Sequence, residues 1–397
     1  MDEPSSKPAV PRYESLDVWR GVACLAVVVV HSATFLARHP AGPDAGWIDR
    51  VIRAVLGFGW AGVPMFFVIS GYCIAAAADA ARRRGDGPGA FFVRRFRRIF
   101  PPYWCWLAIS VATVIVGEHL VPGLYTHPHR PGNHPATIAP IHWLGNLTLT
   151  EVWLGHLTGQ PFEWRNMILG QSWTLCYEEQ FYAVVGVLAW WAGARLGAVL
   201  AAVTTVILVR WLAFPLNINS GFFFDGRWLF FAAGLAVWFD IARRDLATRL
   251  LTRGFLLVGL VWSLHDPSVF LARSHGVEHE WLVSFVFAWT ILLLHPFDRR
   301  IAASRLLQPL AACGTMCYSI YLVHWTVLRP ITVGLEWAGC HSVLFTVLVT
   351  VPVSVAASIA VGVVFHRAVE RRFLAAGPSM PPGVVKIPAP VALRRAS

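Results

Sequence analysis

Apolar runs of membrane-spanning length follow one another along almost all of this 397-residue chain, and that repetition limits the fold before any motif is read. A hydrocarbon layer about 30 Å thick takes about 20 residues of helix to cross, because inside it every backbone N–H and C=O must be paired. Such runs lie at about Leu16–Leu36, Gly57–Ala78, Ile99–Val116, Cys176–Trp191 and Leu196–Phe214. Five more follow at about Phe222–Phe239, Leu250–Leu264, Trp281–Pro296, Ala311–Leu328 and Val343–Phe365. The expected fold class is all-α, a polytopic membrane protein with about ten transmembrane helices. The seventh run is the least regular, since Arg249 and Arg253 interrupt its start and His265 and Asp266 end it.

Composition agrees, with 14% charged residues where a soluble domain carries about a quarter. An ordinary water-soluble enzyme is excluded. The net charge of +11 is almost all arginine, Lys7 and Lys386 being the only lysines. Such an excess can serve nucleic acid, but loop arginines that orient helices explain it without a nucleic-acid partner. With the N-terminus inside, the inner connections hold fifteen arginines and the outer ones seven. Both termini are therefore expected in the cytoplasm, and the low-Lys, Arg-rich composition suggests the inner membrane of a bacterium.

The expected organisation is a cytoplasmic segment over residues 1–15, a membrane domain over 16–373 and a disordered cytoplasmic tail over 374–397. Within the domain, residues 117–171 form a long extracytoplasmic loop rich in Pro, His and Trp, a candidate lid or acceptor-binding element. The polar, Pro-containing N-terminus predicts no cleaved signal peptide. The seven cysteines, with no CxxC pair, read as small buried hydrophobes. No metal site is expected, because the loop histidines (His119, His127, His129, His134, His142 and His156) match no ligand spacing.

Ionisable residues in spanning segments are costly and therefore candidates for function. Arg20 and His31 are eleven residues apart on the first run, which places them about 20° apart on one helix face and about 16 Å apart in rise. His31 suits proton abstraction from a hydroxyl, and Arg20 suits phosphate or carboxylate. Asp17 can simply pair with Arg20, and His31 can be a packing hydrogen bond. Arg94, Arg95, Arg97 and Arg98, between the second and third runs, read either as a cytoplasmic anchor or as a polyphosphate site. Glu178 and Glu179, at the start of the fourth run, can orient an acceptor hydroxyl or tune a histidine, or merely complement a helix N-terminus. Tyr318 and His324 on the ninth run are acceptor or structural polar groups.

Taken in order, these segments resemble the acyltransferase 3 family of integral membrane O-acyltransferases from about Leu16 to Phe373. The resemblance rests on Leu16-Asp17 through Arg20-Gly21 to His31, on Phe66-Phe67-Val68-Ile69-Ser70-Gly71-Tyr72, and on the arginine run ending Arg98-Ile99-Phe100-Pro101. It continues through Ser172-Trp173-Thr174-Leu175 with Glu178 and Phe181-Tyr182, then Tyr318-Ser319-Ile320-Tyr321-Leu322 with His324, and Glu370. It implies ten core helices, a cytoplasmic acyl-CoA co-substrate, commonly acetyl-CoA, and transfer to a hydroxyl of a cell-surface or exported glycan or of a small molecule. No permanently bound cofactor is implied. Arg20 and His31 match the family's catalytic Arg-x10-His pattern, and the arginine run matches its donor-binding element.

Two departures stand out. Many members of the family end in a fused hydrolase-like domain, whereas 24 residues follow Phe373 here, so the membrane domain itself is expected to acylate the acceptor; and the terminal motif reads Glu370-Arg371-Arg372-Phe373, without the family's usual proline. The expected mechanism has His31 as general base, or as a carrier of the acyl group, with Glu178 assisting and Glu179 as a weaker candidate. Competing readings are O-acylation of a small molecule such as a macrolide-type antibiotic and, from another class, a transporter or flippase.

Overall fold

The computed structural model describes residues 13–39, 41–42, 44–125, 134–158, 166–192, 195–213, 226–243, 245–265, 280–340 and 342–375. The proposed tail beyond residue 375, and His127 and His129, lie outside them. All regular structure among the described residues is helical. In chain order the helices are α1 (Leu16–Ser32), α2 (Thr34–Arg38), α3 (Trp47–Gly57), α4 (Gly62–Arg84), α5 (Pro88–Leu120), α6 (Pro140–Thr148), α7 (Glu151–Thr158) and α8 (Trp173–Ala192). There follow α9 (Leu196–Ala213), α10 (Trp228–Ala242), α11 (Leu246–His265), α12 (Glu280–Leu294), α13 (Asp298–Ala303), α14 (Gln308–Thr315), α15 (Cys317–Trp337) and α16 (Val351–Phe365), the last flanked by short helices at Val343–Phe345 and Arg371–Ala375.

The described part of each apolar run is mainly helical, but among the described residues fewer than ten helices meet the length and apolarity of a full span. Five do among the described residues: Trp47–Arg84, Gly89–Leu120, Leu246–Leu264, Glu280–Ala303 and Val343–Leu374, the third being the irregular seventh run. A sixth is possible where Arg305–Thr315 and Cys317–Trp337 join at a 72° bend. The shortfall has visible causes: α1 has 17 residues and α10 has 15, each less than a bilayer thickness of untilted helix.

Bare backbone holds the centre together. A Cβ built on Gly21 would stand 1.9 Å from Leu310 O and one on Gly314 1.7 Å from Asp17 O, so α1 and α14 touch main chain to main chain. Gly71 and Gly234 do the same for α4 and α10, at 2.0 Å from Phe231 O and 1.9 Å from Val68 O. Small residues permit such contact where lipid supplies no hydrophobic drive between helices. Aromatic packing surrounds it, as where Phe181 stacks on Phe231 with ring centroids 4.3 Å apart.

Two connections take definite form in the structure. The arginine run is helical, because Gly85, at φ 72°, caps α4 and Pro88 opens α5 three residues later; left-handed glycine stops one helix and N-terminal proline starts the next. Described residues of the segment after α5 pack back onto the bundle. Tyr103, midway along α5, donates to Asn146 O at 2.8 Å, and Gln171 Nε2 donates to Leu322 O at 2.9 Å. Its apolar residues Leu149, Met167 and Leu169 are buried, which accounts for the inward packing.

The charged groups separate by end. One end gathers Glu14 with Arg299, Asp79 with Arg82 and Arg83, Asp86 with Arg84 and Arg94, and Asp240 with Arg253. At the opposite end Arg38 pairs with Glu336, and Arg329 donates to the carbonyls of Leu124 and Tyr125.

Candidate active site

Helix α1 runs from the arginine-rich end, so Arg20 lies near that end and His31, in the last turn, near the other. Arg20 donates through Nη1 to Asp17 Oδ1 at 2.7 Å and through Nη2 to Cys73 Sγ at 2.9 Å. Its guanidinium borders a cavity of about 890 Å³, open mouth included, whose wall also carries Ser70, Cys73, Arg95, Arg98, Glu178, Tyr182, Cys317, Tyr318 and Tyr321. Arg95 and Arg98 share this wall because residues three apart project from one helix face.

The cavity joins three guanidinium groups to one carboxylate. Glu178 Oε1 accepts from the hydroxyls of Ser70 and Tyr182, and the Arg95 guanidinium lies 4.6 Å from the centre of the Tyr182 ring. Tyr318 donates to Ile99 O at 2.7 Å. Fixed cations in a concave, largely apolar site attract anions more strongly than the same groups in water. Planar guanidinium forks suit phosphate in particular.

Other residues of the sequence reading fall outside this wall. Arg94 turns to Asp86 Oδ2, 2.8 Å away, and Arg97, Asp17 and Glu179 are not among the lining residues. Glu179 Oε1 is buried without a hydrogen-bond partner among the described residues. Glu370 is buried, accepting from Ser319 and lying 2.8 Å from His366 Nδ1, and is not among the lining residues. Among the described residues no three His, Cys, Asp or Glu are placed to hold a metal ion.

His31 is not in the cavity wall either. Its Nδ1 lies 2.9 Å from Nε2 of His324, the two ring planes are 3° apart, and the edge of Trp325 closes in with ring centroids 5.2 Å apart. His324, fully buried, turns Nδ1 to Tyr321 O at 2.6 Å. Tyr321 thus connects the two halves, its side chain in the cavity wall and its carbonyl holding the histidine pair. The α1 face that carries Arg20 and His31 meets two environments, a cationic cavity near one end and a histidine pair towards the other.

Sequence reasoning missed part of this wall. Cys73 and Cys317, read as apolar filler, line the cavity; a cysteine in an apolar run gives no sign of which way it faces. Ser70 and Tyr182 sit in motifs that were visible, but their shared contact with Glu178 joins residues 108 and 4 positions away in the chain, and the longer separation has no signature in spacing. In the segment between α5 and α8, His142 Nδ1 lies 2.6 Å from Glu151 Oε1. Burial raises the Glu151 carboxyl to about 7 despite the opposing pull of His142.

The profile of the acyltransferase domain family matches residues 13–367. The exopolysaccharide production protein ExoZ of Rhizobium meliloti (strain 1021) is 31% identical over 135 residues, a match covering 32% of this chain and 33% of that protein. A Komagataeibacter xylinus protein named as a membrane-bound transacylase, BcsY, is 24% identical over 79% of this chain and 72% of its own. Nodulation protein 10 of Rhizobium leguminosarum bv. viciae is 24% identical over 85% and 88%. No solved structure shows a significant match. With a family profile running from just before the first helix into the last span, and with a cationic cavity inside a fold whose described residues form only helices, the chain belongs to the acyltransferase domain family and is an integral membrane acyltransferase for groups other than aminoacyl groups.

Proposed function

We propose that the protein moves an acyl group, acetyl in the simplest case, from cytoplasmic acyl-CoA to a hydroxyl of a glycan at or beyond the outer face of the bacterial inner membrane. The observation that carries this reading is the division of α1 between a cavity with Arg20, Arg95 and Arg98 near the arginine-rich end and a histidine pair near the other. Under the positive-inside rule the arginine-rich end is cytoplasmic, where acyl-CoA is made. A domain over residues 16–373 with ten helices and both termini inside fits the same orientation. The glycan acceptor is suggested by relatives named for exopolysaccharide production.

Arg95 and Arg98 hold the CoA phosphates, Arg94 and Arg97 add positive charge at the same end, and Arg20 steadies the donor deeper in. Glu178 fixes the hydroxyls of Ser70 and Tyr182 in the wall. The thioester reaches along α1 towards His31, which takes the proton of the acceptor hydroxyl as that oxygen attacks the thioester carbonyl carbon. The new C–O ester bond forms, the C–S bond breaks, and the departing CoA thiolate takes the proton from His31.

The test is acetyl-CoA binding and slow hydrolysis by purified protein in detergent, comparing wild type with His31→Ala and with Arg95→Gln/Arg98→Gln. Binding lost in the arginine variant, with binding kept and turnover lost in His31→Ala, is the expected pattern. Turnover by folded His31→Ala at the wild-type rate would overturn the base assignment, and absent binding by folded wild type would overturn the donor.

A further inference from the structure

The hydrogen bonds that end at His31 have a direction, and the direction fixes where its lone pair points. A carbonyl oxygen only accepts, so the 2.6 Å contact between Tyr321 O and His324 Nδ1 requires the proton on Nδ1. A neutral imidazole protonated there carries its lone pair on Nε2, and Nε2 of His324 lies 2.9 Å from His31 Nδ1. His31 Nδ1 is then the donor, which leaves the lone pair of His31 on its own Nε2.

We propose that His324 is a positioning residue for His31: it selects the tautomer and ring angle that turn the basic Nε2 of His31 towards the acceptor hydroxyl. The inference rests on the reading of His31 as general base. Ring planes 3° apart and centroids 5.1 Å apart, with 2.9 Å between the nitrogens, put the bond in a shared ring plane, along the lone pair of His324. His324 is fully buried, so water does not compete for its nitrogens. The pair joins α1 to α15, and Trp325 meets the His31 ring at 84°. As His31 gains a proton its Nδ1–H becomes a stronger donor, so the same bond tightens when the imidazolium forms. A helix-packing contact would need none of this polarity.

The probe is acetyl-CoA with water as acceptor, followed as thiol release by full-length protein in detergent. His324→Leu removes the acceptor; it is expected to lower kcat on the order of 100-fold with little change in KM for acetyl-CoA. His324→Gln offers an amide N–H to Tyr321 O and an amide oxygen to His31 Nδ1, and is expected to restore most of kcat. If His31→Ala is inactive while His324→Leu keeps wild-type kcat, or if His324→Gln is as impaired as His324→Leu, the positioning role is overturned. If His31→Ala itself keeps kcat, the reading of His31 as base fails first. Nitrogen NMR of [15N]histidine-labelled wild type, with His31 assigned by difference from His31→Ala, gives an answer even where His324→Leu does not fold. The expected signal is a neutral His31 with its proton on Nδ1; a proton on Nε2 overturns the proposal.

Discussion

Arg95 and Arg98 border the cavity while Arg94, one residue before, is engaged by Asp86 at its edge, so a run of similar side chains divides by helical phase. Arg98→Gln should therefore raise the acetyl-CoA Kd by about 10- to 100-fold, as loss of a charge-assisted contact to phosphate does. Arg94→Gln should change it by less than about threefold, in keeping with a half-exposed ion pair; titration of each variant with acetyl-CoA separates them. The run and its suitability for phosphate were legible in the sequence, but which arginines face inward was not, since that depends on where α5 begins. Glu151 makes a different prediction, one for stability. Its folded carboxyl holds a proton up to about 7, whereas an unfolded glutamate loses it near pH 4.3. Between those values the folded state binds more protons, so this group's contribution falls as pH rises through the window and is fully present only below it. The thermal midpoint of wild type should drop relative to Glu151→Gln between pH 5 and pH 8, and parallel curves would refute the shift.

Helices were easier to foresee than their crossings. Apolar periodicity reports burial along a segment and contains nothing about which glycine meets which backbone, so the Gly21–Gly314 and Gly71–Gly234 contacts emerge only when α1 lies on α14 and α4 on α10. The site forms where α1 and α8 also meet α4, with Arg20 against Cys73 and Ser70 opposite Glu178. Gly234→Ala would push a methyl group into the carbonyl of Val68 and should cost about 1–3 kcal/mol, the usual penalty of overpacking. Gly254→Ala, in α11 with nothing within 4 Å of its would-be Cβ, should instead hold or raise stability by up to about 1 kcal/mol through helix propensity. Melting both variants in the same detergent provides the comparison; equal midpoints would mean that the α4–α10 crossing is looser than its geometry. The inward-folded segment between α5 and α8 was hidden for a related reason. Its prolines and histidines resemble an exposed loop, while its burial comes from tertiary partners such as Tyr103 and Leu322.

Orientation belongs to the whole molecule, and there the arginine census and the fold can be set against each other. The census treats connections as independent, yet the helices bring Glu14, Asp86, Asp240 and Arg299 to one end and Glu336, Arg38 and Arg329 to the other. That sorting keeps Arg20 and its cavity on the arginine-rich side and leaves His31 eleven residues further along α1, so the proposed direction of acyl movement depends on the direction of insertion. In intact cells, with Cys105 and Cys340 replaced by serine, a membrane-impermeant maleimide should label Leu120→Cys, which is 71% exposed at the opposite end. It should not label Leu306→Cys, 85% exposed at the arginine-rich end, until the membrane is opened. The reverse pattern would put the cavity outside the cell, where no acyl-CoA is made, and would break the link between cavity and donor even if every helix is in place. Labelling as expected would put the cavity of Arg95 and Arg98 on the cytoplasmic side and the histidine pair nearer the opposite face, which is the orientation the proposed transfer requires.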